Sequence, residues 1–163
     1  MKKSLIGSFL DNVKKILSKI KTYSNKENAV MKKKEIIMSA LEKIGCSPEV
    51  DDDGDIMFRY QMKTVYAMVG DEEEQYVSMM LPQFNEIEEG QDALVLAVCN
   101  KMTRELKIAK VYIDQTFKTV TATCEFFYTD EEALEQNLRR SLQMLGVIRT
   151  MYRNNLAELS EDE

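Results

Sequence analysis

The sequence of 163 residues has no histidine, no tryptophan, two prolines and six glycines. The absence of histidine removes the commonest general base and the commonest zinc ligand. Because the glycines lie singly, the chain has no glycine-rich loop of the kind that binds phosphate groups. Carboxylates are abundant, but no pair is marked for acid–base catalysis. These absences argue against an enzyme, and we expect no catalytic residue, no metal site and no cofactor.

The three cysteines and the apolar runs indicate where the protein is located. Cys46, Cys99 and Cys124 are far apart and odd in number, which predicts free, largely buried thiols. The longest apolar run covers residues 93–99, whereas a membrane-spanning helix needs about 20 apolar residues. The basic start of the chain lacks the unbroken apolar part and the cleavage site of a signal peptide. We therefore expect a cytoplasmic protein.

Residues 51–55 form an acidic turn that invites comparison with a calcium-binding loop. If Gly54 is the sixth residue of an EF-hand loop, the twelfth is Tyr60, where a bidentate glutamate is required. The residues that follow also predict a strand, whereas an EF-hand continues as a helix. We therefore interpret this segment as a solvated turn that leads into a strand.

Charge is distributed unevenly along the chain. Residues 1–34 contain ten lysines and two acidic residues, which gives a net charge of +8. The remaining residues contain 12 basic and 26 acidic side chains, which gives −14 and a total of −6. An acidic body is repelled by phosphate backbones, so we expect no binding of nucleic acid.

The basic N-terminal part has the pattern of an amphipathic helix. Lysines occupy one face, and the apolar face comprises Leu5, Phe9, Leu10, Val13, Ile16, Leu17 and Ile20. Residues 22–28 are polar, and we interpret them as a linker. The predicted organisation is therefore a leader (residues 1–28), a domain (residues 29–158) and an acidic tail (residues 159–163). The leader could contact an anionic membrane surface peripherally, dock on the acidic body or on a partner, or be a frayed tail.

The rest of the chain predicts an α+β fold with an antiparallel sheet, in the order helix, three strands, helix, two strands, helix. The first helix ends before Gly45, Pro82 ends the third strand, and Thr129 with Glu132 forms a capping box before the last helix. Tight spacing between the strands indicates hairpins. The predicted segments are residues 29–44, 56–60, 63–69, 75–81, 90–105, 108–113, 119–128 and a final helix from residue 129.

Methionine is abundant, with 11 residues, and several of these lie in the first three strands. Alternation places apolar side chains on both faces of the predicted sheet. Either helices cover both faces and methionine fills gaps, or one face binds a partner through soft, adaptable side chains. The candidate partner-binding residues are Met57, Met62, Tyr66 and Met68.

The central helix is apolar on more than one side over residues 93–98. Such a helix must be buried on several sides, either inside one protomer or by a second copy of the chain. The candidate interface of a homodimer consists of Leu94, Ala97, Val98 and Met102.

With this element order, residues 30–157 resemble the YbjN-type bacterial sensory-transduction regulators, which share their fold with the type III secretion chaperones. The resemblance is carried by residues 41–45 (LEKIG), residues 53–58 (DGDIMF), Asn100, the strand at residues 107–113 and residues 125–127 (EFF).

This resemblance implies an α+β fold that dimerises and, for the chaperone branch, binds an unfolded segment of a client protein. It implies no catalytic residue. Our hypothesis is a non-enzymatic, chaperone-like module that holds a segment of a partner protein. The alternative is a regulatory or sensory adaptor that reaches a membrane or a receptor through the leader.

Overall fold

The computed structural model describes the backbone of residues 2–69 and 75–161, and the side chains of these residues from Lys14 onward. Within this part, three helices and six strands follow one another in the predicted order, except that one short strand precedes the first predicted strand. The predicted α+β fold is confirmed. The elements are α1 (Lys2–Lys43), β1 (Glu49–Val50), β2 (Ile56–Tyr60), β3 (Lys63–Val69), β4 (Tyr76–Glu86), α2 (Asp92–Glu105), β5 (Ala109–Ile113), β6 (Thr119–Phe127) and α3 (Glu131–Glu161).

The six strands form one sheet in the spatial order β1-β2-β3-β4-β6-β5, and every neighbouring pair is antiparallel. The first four strands follow one another as hairpins. The chain then crosses through α2 to the far edge, where β5 pairs with β6. The long central strands β4 and β6 join the two halves of the sheet.

The hydrophobic core lies on one face of the sheet. Alternate residues of the strands are buried there, and they pack with the apolar sides of all three helices. Where α3 packs on the sheet, the thiol of Cys124 (β6) lies 4.0 Å from the carbonyl oxygen of Ser141, and the rings of Phe84 (β4) and Tyr152 meet edge to face at 5.4 Å. The buried stripe of α3 includes Leu134, Leu138, Leu142, Leu145, Ile148 and Tyr152.

The predicted break between the leader and the first helix is wrong, because α1 is one helix through residues 22–28. This polar segment contains no glycine or proline, so its backbone can stay helical without burying a face. The Thr22 hydroxyl donates a hydrogen bond to the carbonyl of Ser18 one turn earlier, at 2.9 Å. The division of function between leader and domain stays a prediction.

Strand β4 continues past Pro82 to Glu86, so the predicted end at Pro82 is wrong. Proline has no N–H to donate to a neighbouring strand, and the register of β4 and β6 shifts between Leu81 and Asn85. Within this irregularity Gln83 has a φ of 46°, and its N–H donates to the Thr121 hydroxyl at 3.1 Å. Pairing resumes after the bulge.

The N-terminal cap of α3 is Asp130, and the predicted capping box of Thr129 with Glu132 is wrong. The Asp130 carboxylate accepts a hydrogen bond from the N–H of Ala133 at 2.8 Å, while the Thr129 hydroxyl donates to Asp130 at 2.9 Å. Aspartate at this position is as good a cap as threonine, and its charge also suits the helix N-terminus.

The acidic turn is organised by the side chain of its first residue, Asp51. The Asp51 carboxylate accepts hydrogen bonds from the N–H groups of Asp53 (3.0 Å) and Asp55 (2.8 Å), and Lys34 of α1 donates to the Gly54 carbonyl. Gly54 adopts a φ of +85°, a conformation that favours glycine. The turn therefore ties α1 to the start of β2.

Candidate functional site

The face of the sheet opposite the core carries the candidate site, and we call it the open face. Cross-strand pairing places one residue from each strand in a single row across it. The two ends of the row are charged and its middle is apolar. The row consists of Glu49, Met57, Tyr66, Met80, Thr123 and Lys110.

Apolar side chains on the open face remain partly exposed. Met57, Tyr66, Met68 and Met80 are half-buried, and none of them belongs to the hydrophobic core or packs against it. The alternative in which helices cover both faces of the sheet does not hold for the described residues, because the helices pack on the core side. The open face is an accessible apolar surface within an otherwise acidic body.

Three of the four predicted partner-binding residues, Met57, Tyr66 and Met68, lie together on the open face. Met62 does not join them, because it lies at the tip of the β2–β3 hairpin and is 91% exposed. Sequence reasoning omitted Met80, which pairs with Tyr66. The alternation along β4, with Met79 buried in the core, is the signal that identifies it.

The β5 end of the open face carries a polar network centred on Glu125. Its carboxylate forms an ion pair with Lys110 at 2.6 Å and accepts a hydrogen bond from the Thr123 hydroxyl at 3.3 Å. Burial raises the pKa of the Glu125 carboxyl, but hydrogen bonds from Lys110 and Tyr76 outweigh burial and leave this pKa below its ordinary value. Glu125 is therefore a fixed negative charge beside the apolar row.

The predicted dimer residues on α2 do not lie on one surface. Val98 and Met102 are buried in the core of the protomer, Leu94 is half-buried and Ala97 is exposed. Burial within the protomer therefore accounts for the first two. The outward side of α2 carries Leu96, which is 60% exposed and which sequence reasoning did not single out.

A groove with a volume of about 680 Å³ separates the outward side of α2 from β5 and the β5–β6 turn. Leu96 and Phe117 contribute exposed apolar side chains to it. Inside the groove, the Thr103 hydroxyl accepts a hydrogen bond from the Val111 N–H (2.8 Å) and donates one to the Val111 carbonyl (2.9 Å). Thr103 thus occupies the backbone groups that an added strand would use at this position of the sheet edge.

The leader extends from the domain as part of α1. Every residue from 14 to 28 is exposed, including Ile16, Leu17 and Ile20 of the predicted apolar face. The side chains of Leu5, Phe9, Leu10 and Val13 lie outside the described residues. Among the described residues, no helix is both long enough and apolar enough to cross a membrane.

The sequence of residues 32–159 matches the family TY-Chap1, described as T3SS (YopN, CesT) and YbjN peptide-binding chaperone 1. The chain belongs to this family. The match includes every strand, α2 and nearly all of α3, and it begins after the leader. Membership of TY-Chap1 places the domain among peptide-binding chaperones, which supports a binding role.

The fold of this TY-Chap1 protein is similar to the crystal structure of YbjN from E. coli, with a TM-score of 0.56. The similarity covers 76% of this chain and 91% of YbjN, at 11% sequence identity. At this identity the comparison supports the fold alone. The family match, together with this fold, confirms the resemblance inferred from the sequence. No curated protein matches the sequence.

Proposed function

We propose that the protein holds an extended segment of a partner protein on the open face of its sheet. The observation that carries this proposal is the set of half-buried apolar side chains there that do not pack against the core, namely Met57, Tyr66, Met68 and Met80. In a member of a peptide-binding chaperone family, such a surface is the natural place for a client segment.

The chemistry of the open face suits a client without one fixed sequence. Methionine is unbranched and flexible, so it can repack around side chains of different shapes. Tyr66 adds a rigid apolar ring that ends in a hydroxyl. An extended segment could place alternate apolar side chains on this surface while its other side chains remain in solvent.

Charge favours basic clients. The chain beyond residue 34 has a net charge of −14, and Glu49 lies at the β1 end of the apolar row. Opposite charges accelerate encounter and discriminate against acidic partners. We place this activity in the cytoplasm, where the three free thiols would stay reduced.

Two labelled synthetic peptides of equal length test the proposal by fluorescence anisotropy. Both alternate apolar with charged residues, one with lysine and the other with glutamate. We expect the lysine peptide to bind more tightly. Replacing Met68 and Met80 together by glutamine should weaken that binding by about tenfold or more, since two apolar contacts are lost.

The matched control is Val147→Gln, which changes an exposed apolar residue on α3, away from the open face. It should leave peptide binding unchanged. Failure of both peptides to bind, or an equal loss in the control, would overturn the proposal. Thermal unfolding of each variant establishes that the fold is intact.

We further propose that two copies associate through the outward side of α2, where Leu96 and Ala97 are exposed. This proposal keeps the predicted homodimer, but Val98 and Met102 would not contact the second copy because they are buried in the protomer. Light scattering at micromolar concentration is expected to give the mass of a dimer, and Leu96→Asp is expected to give a monomer. A monomeric wild-type protein would disprove the dimer.

A further inference from the structure

The leader presents a surface of its own, because every side chain from residue 14 to residue 28 is exposed. Residues 14–28 are helical and exposed throughout, so they extend for about 22 Å along the helix axis. Ile16, Leu17 and Ile20 are each more than half exposed, as is Tyr23. These four apolar side chains are therefore not covered by the described part of the acidic body.

Over residues 14–23, apolar and basic side chains are segregated around this helix. At 100° per residue, Ile16, Leu17 and Ile20 fall within one arc, and Tyr23 lies at its margin. Lysines flank this arc on both sides, with Lys14 and Lys21 along one border and Lys15 and Lys19 beyond the other. Lysines in these positions can extend their charged ends away from an apolar surface while their stems remain against it.

The charge of the leader selects among possible partners. Residues 1–28 hold seven lysines and two acidic residues, so two copies of the leader repel each other. Nucleic acid would satisfy the lysines but would leave the apolar arc in water. An anionic lipid surface satisfies both, because it attracts the lysines and accepts the apolar side chains.

We propose that the leader binds an anionic membrane surface, lying in the interface with its apolar arc toward the acyl chains. The acidic domain, which such a surface repels, is then held on the solvent side by the continuous helix α1. This proposal goes beyond peptide binding and is independent of it, since the family match begins after the leader.

Sedimentation of the full chain with lipid vesicles tests the proposal. One set of vesicles contains phosphatidylcholine alone, and the other contains equal parts of phosphatidylcholine and phosphatidylglycerol. We expect binding to the anionic vesicles only, and weaker binding as salt is raised. Leu17→Gln with Ile20→Gln should lower the partition coefficient by about tenfold or more. Lys15→Gln with Lys19→Gln should lower it by about 30-fold.

Met31→Gln is the matched control, because Met31 is 60% exposed on the same helix but lies outside the leader. It should bind vesicles like the wild type. No binding to anionic vesicles, equal binding to both kinds, or an equal loss in the control would overturn the proposal. The proposal would also be overturned if the wild-type protein self-associated and the Leu17/Ile20 double variant lost this self-association but still bound vesicles like the wild type. Circular dichroism and peptide binding should be the same for every variant.

Discussion

The ammonium group of Lys63 donates a hydrogen bond to the carbonyl oxygen of Gly146 at 2.9 Å, across 83 residues of sequence. This bond joins the β2–β3 hairpin to the middle of α3. Gly146 also permits a close approach at this point, since a Cβ atom built there would lie 3.0 Å from the side-chain oxygen of Gln61. The hairpin that contributes Met57 and Tyr66 to the open face is thus held in place by the core helix.

Replacing Lys63 by methionine removes this charge-assisted hydrogen bond and keeps most of the aliphatic stem. We expect the free energy of unfolding to fall by about 1 kcal/mol, because the bond is partly buried. Urea denaturation measures the change. The exposed Lys118, changed to methionine in the same way, should give a change within about 0.5 kcal/mol. Equal effects of the two variants would show that the bond to Gly146 contributes nothing.

The tip of the same hairpin is strained. Gln61 and Met62 have φ values of 47° and 63°, a conformation that is unfavourable for residues with a Cβ atom. Since the Met62 side chain is 91% exposed, Met62→Gly should relieve strain without losing packing, and should raise the free energy of unfolding by about 1 kcal/mol. Met68→Gly in strand β3 should lower it instead. If Met62→Gly lowered the free energy of unfolding, the hairpin tip would not be strained at Met62.

Glu125 should make stability depend on pH. Because its folded-state pKa lies below the ordinary value, the ionised carboxylate stabilises the fold at neutral pH, and this contribution is lost as the pH falls through the folded-state pKa. Glu125→Gln should therefore be less stable than the wild type by roughly 1 kcal/mol at neutral pH, and the difference should shrink in acid.

Denaturation in urea at neutral pH and at about pH 3 checks this expectation. Lys110→Met supplies a second comparison, since it removes the partner that lowers the pKa of Glu125 and leaves the carboxylate in place. It should weaken the same pH dependence. A Glu125→Gln difference that is constant with pH would contradict the role of the carboxylate.

The three thiols should be unreactive in the folded protein. Burial raises the pKa of Cys99 to about 11 and that of Cys124 to about 12, and it also raises the pKa of Cys46. Since the thiolate is the reacting species, we expect modification with a disulfide reagent near pH 8 to be at least about 100-fold slower than in urea.

Mass spectrometry of partly modified protein gives the order of reaction. Cys46 should react first, because it is the least buried of the three, and Cys124 should react last. Cys46→Ser should remove the fastest phase and leave the others. Rapid labelling of Cys124 in the folded state would show that α3 separates from the sheet, since the Cys124 thiol lies against Ser141.

Local sequence patterns predicted α2, α3 and the five longer strands, and also the burial of the thiols. They failed where a local signal was weak or overridden. The polar residues 22–28 remain helical, and β4 passes through Pro82 by means of a bulge. The two-residue β1 strand was missed because it is too short to show alternation.

The amino-acid sequence alone determined the α+β class, the apolar stripe of α3 and the separation of a basic leader from an acidic body, because periodicity and charge are local properties of the chain. Only the tertiary structure decided which sheet face stays open, that Met80 lies beside Tyr66, and that Lys110 neutralises Glu125. These relationships depend on strand order and register, which bring together residues that are distant in sequence. The open face, on which the proposed function rests, was therefore decided only by the tertiary structure.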